Sequence, residues 1–254
     1  LDIQINTSHP IVKGRSNWLI PGAVNGVFYC LNSYKRNLER HTPVKPGDFK
    51  FVRIIEGLSV EYDKEKISPV NSPHSNLTPF APSRIIGTAP VENDGSFHVR
   101  VPAEIPLSFQ MLDENKMAVD RKETWTWVIG NENRGCIGCH ENRELSPTNT
   151  FVNAVKKPPI ELTPAIEHRR TVDYRHQIAP IIKTKCATSQ CHGSGEVPPD
   201  LENEKSDPSG LDVYEILLNP IKNRSREKYV VPGYSRRSPL VWHLFGERFE
   251  DGKS

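Results

Sequence analysis

Asn93-Asp94-Gly95-Ser96-Phe97-His98-Val99-Arg100-Val101 reads as a turn followed by a strand. Asp-Gly tolerates the backbone of a tight reversal, and Phe97, Val99 and Val101 then share one face at period two. The pattern repeats in both directions. Leu107, Phe109 and Met111 form a second alternating face, and Asp113-Glu114-Asn115-Lys116 supplies the next turn. Trp125, Trp127 and Ile129 read as a third face, and Phe51-Val52-Arg53-Ile54-Ile55 is a short apolar run of strand type. Residues 1–130 are therefore expected to be mostly β, a small antiparallel sandwich or barrel. Trp125 and Trp127 are expected in its core rather than at a ligand site. Its last strand delivers the chain to position 136.

Position 136 opens Cys136-Ile137-Gly138-Cys139-His140, the spacing that attaches a c-type haem. The two cysteines reach two vinyl groups on one porphyrin edge, and the next histidine falls under the iron. Cys186-Ala187-Thr188-Ser189-Gln190-Cys191-His192 repeats the arrangement with a four-residue spacer. Together the two motifs use four of the five cysteines. Zinc is the competing cofactor, since two Cys2His groups exceed the four ligands of a structural site. A histidine directly after the second cysteine crowds a tetrahedral ion, however, and suits haem. A disulfide scaffold is disfavoured in a chain long enough to build ordinary cores. The expected cofactors are two covalently bound haem c groups, with zinc as the lesser alternative. Cys30 is expected to be a small buried residue.

Composition bounds the rest. The chain has 254 residues, suiting one large domain or two small ones. With 25% charged residues and a net charge of +2, it carries no nucleic-acid or membrane-surface signal. No apolar run approaches the roughly 18 residues of a membrane span. Haem is attached outside the cytoplasm, so the expected location is extracytoplasmic, a periplasm or anammoxosome-type compartment. Leu1 in place of Met then reads as the product of processing or truncation. The 22 prolines, about twice the usual share, imply much extended or looped backbone.

Pro158, Pro159 and Pro164 mark residues 151–170 as a connector after a β-rich domain at 1–150, and Pro147 interrupts the chain just before it. From Thr171 the spacing turns helical. Tyr174, Ile178, Ile181 and Ile182 share a face, although Pro180 forbids a regular helix throughout. Leu211 to Leu218 reads as a helix stopped by Asn219-Pro220, and another begins with Ser238 as N-cap, Pro239 at the first position and Gly246 at its end. Short helices around a Cys-Cys-His motif predict a mostly helical, cytochrome c-like domain over 171–254. The expected class is thus α+β, a haem-bearing antiparallel β domain followed by that helical domain.

Several stretches resemble the alpha subunit of hydrazine synthase and its broader group of bacterial haem proteins. They are Val52-Arg53-Ile54-Ile55-Glu56-Gly57, Arg84-Ile85-Ile86-Gly87, Val91-Glu92-Asn93-Asp94-Gly95-Ser96, and the run from Thr124 through Trp127 to His140. Further on come Thr171-Val172-Asp173-Tyr174-Arg175, Ile181 to His192, Lys228-Tyr229-Val230-Val231-Pro232 and Leu240-Val241-Trp242. The resemblance implies a middle domain holding one haem and a C-terminal cytochrome domain holding the other. It implies an N-terminal β-propeller too, for which this chain has no room. In the family the first haem is the proposed site where ammonia meets a hydroxylamine-level intermediate. Its iron is held by a tyrosine four residues after the motif histidine, while that histidine binds zinc; the matching position here is Glu144. The family also places a distal histidine in an extension beyond the point where this chain stops.

His140 is the default ligand of the first iron, and Glu144 the alternative that the resemblance raises. His74 or His98 would reach its distal side from the β domain, although each also reads as an ordinary loop or strand histidine. His192 is the proximal ligand at the second haem. Met111 and Met117 both lie in the β domain, so the sixth ligand is not a local methionine; His243 is the candidate, ahead of His176 and His168. Three functions fit: electron transfer, which the missing propeller and the Glu144 position favour, then catalysis on small nitrogen compounds at an open first haem, and gas sensing. The expected partners are other redox proteins or haem subunits, with oligomerisation open. No residue is assigned a catalytic role.

Overall fold

In a computed structural model, the described residues are 23–35, 44–58, 83–122, 124–139, 146, 150–193, 199–202, 211–218 and 228–249. Eight strands occur among them: β1 (Asn25–Cys30), β2 (Phe51–Gly57), β3 (Ser83–Pro90), β4 (Phe97–Pro102), β5 (Leu107–Leu112), β6 (Ala118–Arg121), β7 (Asn133–Cys136) and β8 (Ile160–Glu161). They form two four-stranded sheets, ordered β7-β1-β4-β8 and β3-β2-β5-β6. The inward residues of both sheets interdigitate in one core. Phe28 and Cys30 of β1 and Phe97, Val99 and Val101 of β4 meet Val52, Ile54, Leu107, Phe109 and Met111 of the facing sheet. Phe109 lies edge-on to Phe28, with centroids 5.1 Å apart. Burial of these alternating faces is the main stabilising term.

The turn at 93–95 has a different job from a hairpin. β3 and β4 belong to different sheets, so the turn carries the chain across the sandwich. Gly95 sits at φ +82° with Asn32 and Tyr34 pressed against its Cα, where a side chain has neither space nor an easy conformation. Asp94 completes the turn by accepting from Ser96 N–H at 3.1 Å and from the Ser96 hydroxyl at 2.6 Å. The reversal at 113–116 does join paired neighbours, β5 and β6.

Two expectations fail here. The 125–129 stretch forms no strand, and its parity is inverted: Val128 is buried, whereas Trp127 is 53% exposed and Ile129 is also exposed. Trp127 instead lies under the Arg134 guanidinium, 5.6 Å from the ring centre. The sheets are also not wholly antiparallel, because β1 pairs with β7 and β4 with β8 in parallel.

The larger correction concerns fold class. The described structure is sheet-dominated, with only three short α-helices, and shows no mostly helical cytochrome c-like domain. These are α1 (Ala179–Lys185), α2 (Leu211–Leu218) and α3 (Pro239–Phe245). Each runs seven or eight residues, well under the roughly 12–15 at which an isolated helix becomes even marginal. Pro180 and Pro239 each sit in a first helical turn, and the Tyr174–Ile178 turn before α1 is a wider π-helix. Helical periodicity therefore located short turns correctly but overstated the architecture. The Asn219-Pro220 stop lies outside the described residues.

The C-terminal segments are tied to the sandwich. Residues 153–170 run along it: Leu162 N–H donates to Arg100 C=O at 2.9 Å, and Ile85 and Arg170 exchange backbone bonds. Glu56 of β2, buried, pairs with Arg169 at 2.9 Å and Arg84 at 3.2 Å. Near the C-terminus, Gln110 donates to Gly233 C=O, the Ser235 hydroxyl accepts from Ala118 N–H, and Arg236 faces Asp113.

Candidate functional site

The first cysteine motif starts at the end of an edge strand. Register sets Cys136 of β7 beside Cys30 of β1. Beyond the strand, Leu31 N–H donates to Cys136 C=O at 2.9 Å and Asn32 N–H to Ile137 C=O at 3.2 Å, so the motif backbone stays laced to β1. Cys30 belongs to the core, and both Cys136 and Cys139 pack against that same core while remaining partly accessible. The Cys30 and Cys139 thiols share a hydrogen bond; that bond and burial raise the Cys30 thiol well above its ordinary value. Cys30 is thus buried as its composition suggests, but it also touches the motif. His140, Glu144 and His74 lie outside the described residues.

The second motif follows α1 directly and folds as a closed turn. Cys186 N–H continues the helix onto Ile182 C=O at 2.8 Å, and His192 N–H returns to Cys186 C=O at 3.1 Å. Gly193 makes this closure feasible, since a Cβ there would meet the Ala187 carbonyl oxygen at 2.6 Å. Cys186 packs against a small cluster of Ile182, Leu201, Val213 and Leu217, whereas Cys191 is exposed.

His192 Nδ1 lies 3.1 Å from the Pro199 carbonyl oxygen. A carbonyl only accepts, so Nδ1 is the donor of this bond. That is the orienting contact expected of a metal-ligating imidazole. Ile181, Leu244 and Phe245 leave large apolar side chains exposed on α1 and α3. This chemistry fits a flat apolar cofactor held by two thiols and one imidazole.

The other histidines are placed less distinctively. His243 is exposed on α3 beside Leu244 and Phe245. His176 pairs with Asp173 at 2.9 Å on the surface, and His168 is exposed in a short 3-10 turn. His98 faces outward from β4, its Nδ1 3.1 Å from Lys157 C=O and its ring edge-on to Tyr29. Among the described residues, no three His, Cys, Asp or Glu side chains are grouped to hold a metal ion. A cavity of about 190 Å³ opens between Ser108, Gln110, Arg121, Trp125 and Gly233, with no motif residue in its lining. Among the described residues no helix is long and apolar enough to cross a membrane.

Comparison with known proteins agrees with the resemblance read from sequence. Residues 47–141 match the model of the hydrazine synthase alpha subunit middle domain. Hydrazine synthase subunit alpha of Kuenenia stuttgartiensis is 26% identical over 275 aligned residues, covering 80% of this chain and 33% of the relative. The solved Kuenenia stuttgartiensis hydrazine synthase superposes with a TM-score of 0.73 at 25% identity, covering 91% of this chain and 38% of that one. The chain spans about a third of the length of the relative it matches. The chain is thus similar to the hydrazine synthase alpha subunit through the middle domain and over most of the sequence that follows.

Proposed function

We propose that the chain is a dihaem c-type protein that moves electrons within or beside a multi-haem redox complex. The observation carrying this reading is the His192 imidazole, held through Nδ1 by Pro199 C=O directly after Cys186 and Cys191. Cys136, Cys139 and His140 would hold the first haem, and Cys186, Cys191 and His192 the second. The haem supplies one-electron chemistry at its iron, with a potential set by axial ligands and surroundings. The chain's contribution is orientation: the 186–193 turn fixes His192, and the β1/β7 pairing fixes Cys136. His243 is the proposed sixth ligand at the second haem, where a non-methionine ligand keeps the potential below that of His/Met cytochromes. The proposed division is a β-rich domain at 1–150, a connector at 151–170 and a region at 171–254 with the second haem. The proposed location is extracytoplasmic, with partners among other haem subunits.

The match of residues 47–141 to a hydrazine synthase domain favours one other reading, catalysis on small nitrogen compounds at the first haem. Glu144 as the axial oxygen would leave that iron high-spin and open. Intact mass decides attachment: two haem additions are expected, and one or none overturns the dihaem reading. EPR decides between the functions. Low-spin signals from both haems support electron transfer, whereas a high-spin first haem together with hydrazine formed from hydroxylamine and ammonia supports catalysis.

A further inference from the structure

We propose that Cys30 is the redox partner of the first motif: in the oxidised, haem-free chain it forms a disulfide with Cys139 and withholds that sulfur from haem attachment. Cys30 is fixed by its strand, with 1% of its surface exposed and Phe28, Phe97 and Phe109 in the surrounding core. The motif has little freedom to move away. Register places Cys136 beside Cys30, and the Leu31 and Asn32 N–H groups hold the Cys136 and Ile137 carbonyls. The chain then brings Cys139 back onto the same core, where its thiol meets that of Cys30.

The chemistry needs a disulfide oxidant, which would be a disulfide oxidase in the proposed extracytoplasmic location and is oxidised glutathione in the test. Cys139 is the more accessible thiol and reacts first. Its thiolate attacks one sulfur of the oxidant, expelling one thiolate and leaving a mixed disulfide. The Cys30 sulfur then displaces the second thiolate. Two protons leave the protein thiols and two electrons reduce the oxidant to two thiols; a dithiol reductant reverses the sequence. Thioether formation adds S–H across a vinyl group, and a disulfide sulfur has no hydrogen to add. The disulfide rests on the register of β1 with β7 and on the packing of Cys139 against the core that holds Cys30, while its effect on attachment rests on the haem reading above.

The test uses the full chain produced without haem-attachment machinery, treated with oxidised glutathione, alkylated and mapped as peptides. A Cys30–Cys139 link with Cys136 alkylated is expected. Cys30→Ala should abolish it, and Cys136→Ser, a near-isosteric change at the partly accessible edge of the core, should keep it. A dominant Cys136–Cys139 link, or Cys30 fully alkylated, overturns the pairing. The chain is then co-produced with attachment machinery under oxidising growth. Cys30→Ala should raise the fraction of chains with a thioether at Cys139 about twofold over wild type. Equal fractions overturn the competition. Haem absent from the first motif in both chains overturns the haem reading and the competition with it, while the peptide map still decides the disulfide.

Discussion

Replacing Glu56 by Gln should be among the most destabilising single changes outside the aromatic core. The Glu56 carboxylate is 7% exposed, and it faces Arg169 at 2.9 Å, itself 9% exposed, and Arg84 at 3.2 Å. Neutralising it strands the Arg169 guanidinium in a poorly hydrated site. Removing one member of a buried pair costs about 3–5 kcal/mol. Arg84 is 23% exposed and recovers part of its hydration, so the lower end, about 3 kcal/mol, is the expected value. At roughly 2–4 °C per kcal/mol for a chain of this size, the melting temperature should fall by roughly 6–12 °C. Circular dichroism melts and urea titrations measure both quantities. Two comparisons isolate the cause. Glu161→Gln removes an equally short pair with Arg100, but there the carboxylate is 61% exposed, so the loss should stay below about 1 kcal/mol. Joint replacement of Glu56 by Leu and Arg169 by Met leaves no orphaned charge in that pair and should recover most of the single-variant loss. If Glu56→Gln costs no more than Glu161→Gln, or the double variant is as damaged as the single, burial is not what makes this pair matter.

Partial burial pushes Asp94 up, but the Ser96 hydroxyl and the Asn153 and Ser96 N–H groups outweigh it and hold the carboxyl below its ordinary value. A depressed carboxyl contributes stability above the unfolded carboxylate range and loses it as pH falls through its folded value. Asp94→Asn should therefore cost roughly 1 kcal/mol near neutrality and flatten the acid limb of the stability curve, measured by urea unfolding across pH; an unchanged limb would show that the turn does not depend on the charge. Gly193→Ala should open the 186–193 turn, because its Cβ would collide with the Ala187 carbonyl. Haem addition at the second motif should drop while the first is unaffected, and an intact mass still showing both groups fully attached would refute this role for the turn.

The sandwich was legible wherever pattern alone decides a face. Phe97, Val99 and Val101 are all buried in β4, as are Leu107, Phe109 and Met111 in β5. Around 125–129 the same logic fails, because no ladder of hydrogen bonds imposes a pleat and the large indoles are not the buried set. In β5 both faces are buried, so Ser108 and Gln110 hid an inward face that alternation assigned to water. The parallel pairs leave no local trace: no turn joins β1 to β7, and β8 is only two residues long. The cysteine motifs were readable because their spacing is the signal. The contact between Cys30 and Cys139 was not, since it depends on a register between distant strands; the alternation of Phe28 and Cys30 on one face was the available hint. The C-terminal helices were found at their proper places, yet periodicity cannot say that turns of seven or eight residues will not add up to a helical domain.

The parallel pairing of β1 with β7 also gives the two motifs different folding histories. Cys30 and Cys136 are more than a hundred residues apart in the chain, so the contact that seats the first motif closes a very long loop. Such contacts form slowly, after loop-closure entropy has been offset by other structure. The second motif is closed by bonds among residues 182–201 and needs only its own neighbourhood. A chain emerging from its synthesis or export machinery therefore presents the first Cys-x-x-Cys-His as loose peptide for much longer than the second. Under the proposed function, haem attachment at the first motif would compete with the folding of the β domain, whereas attachment at the second would compete with a local turn.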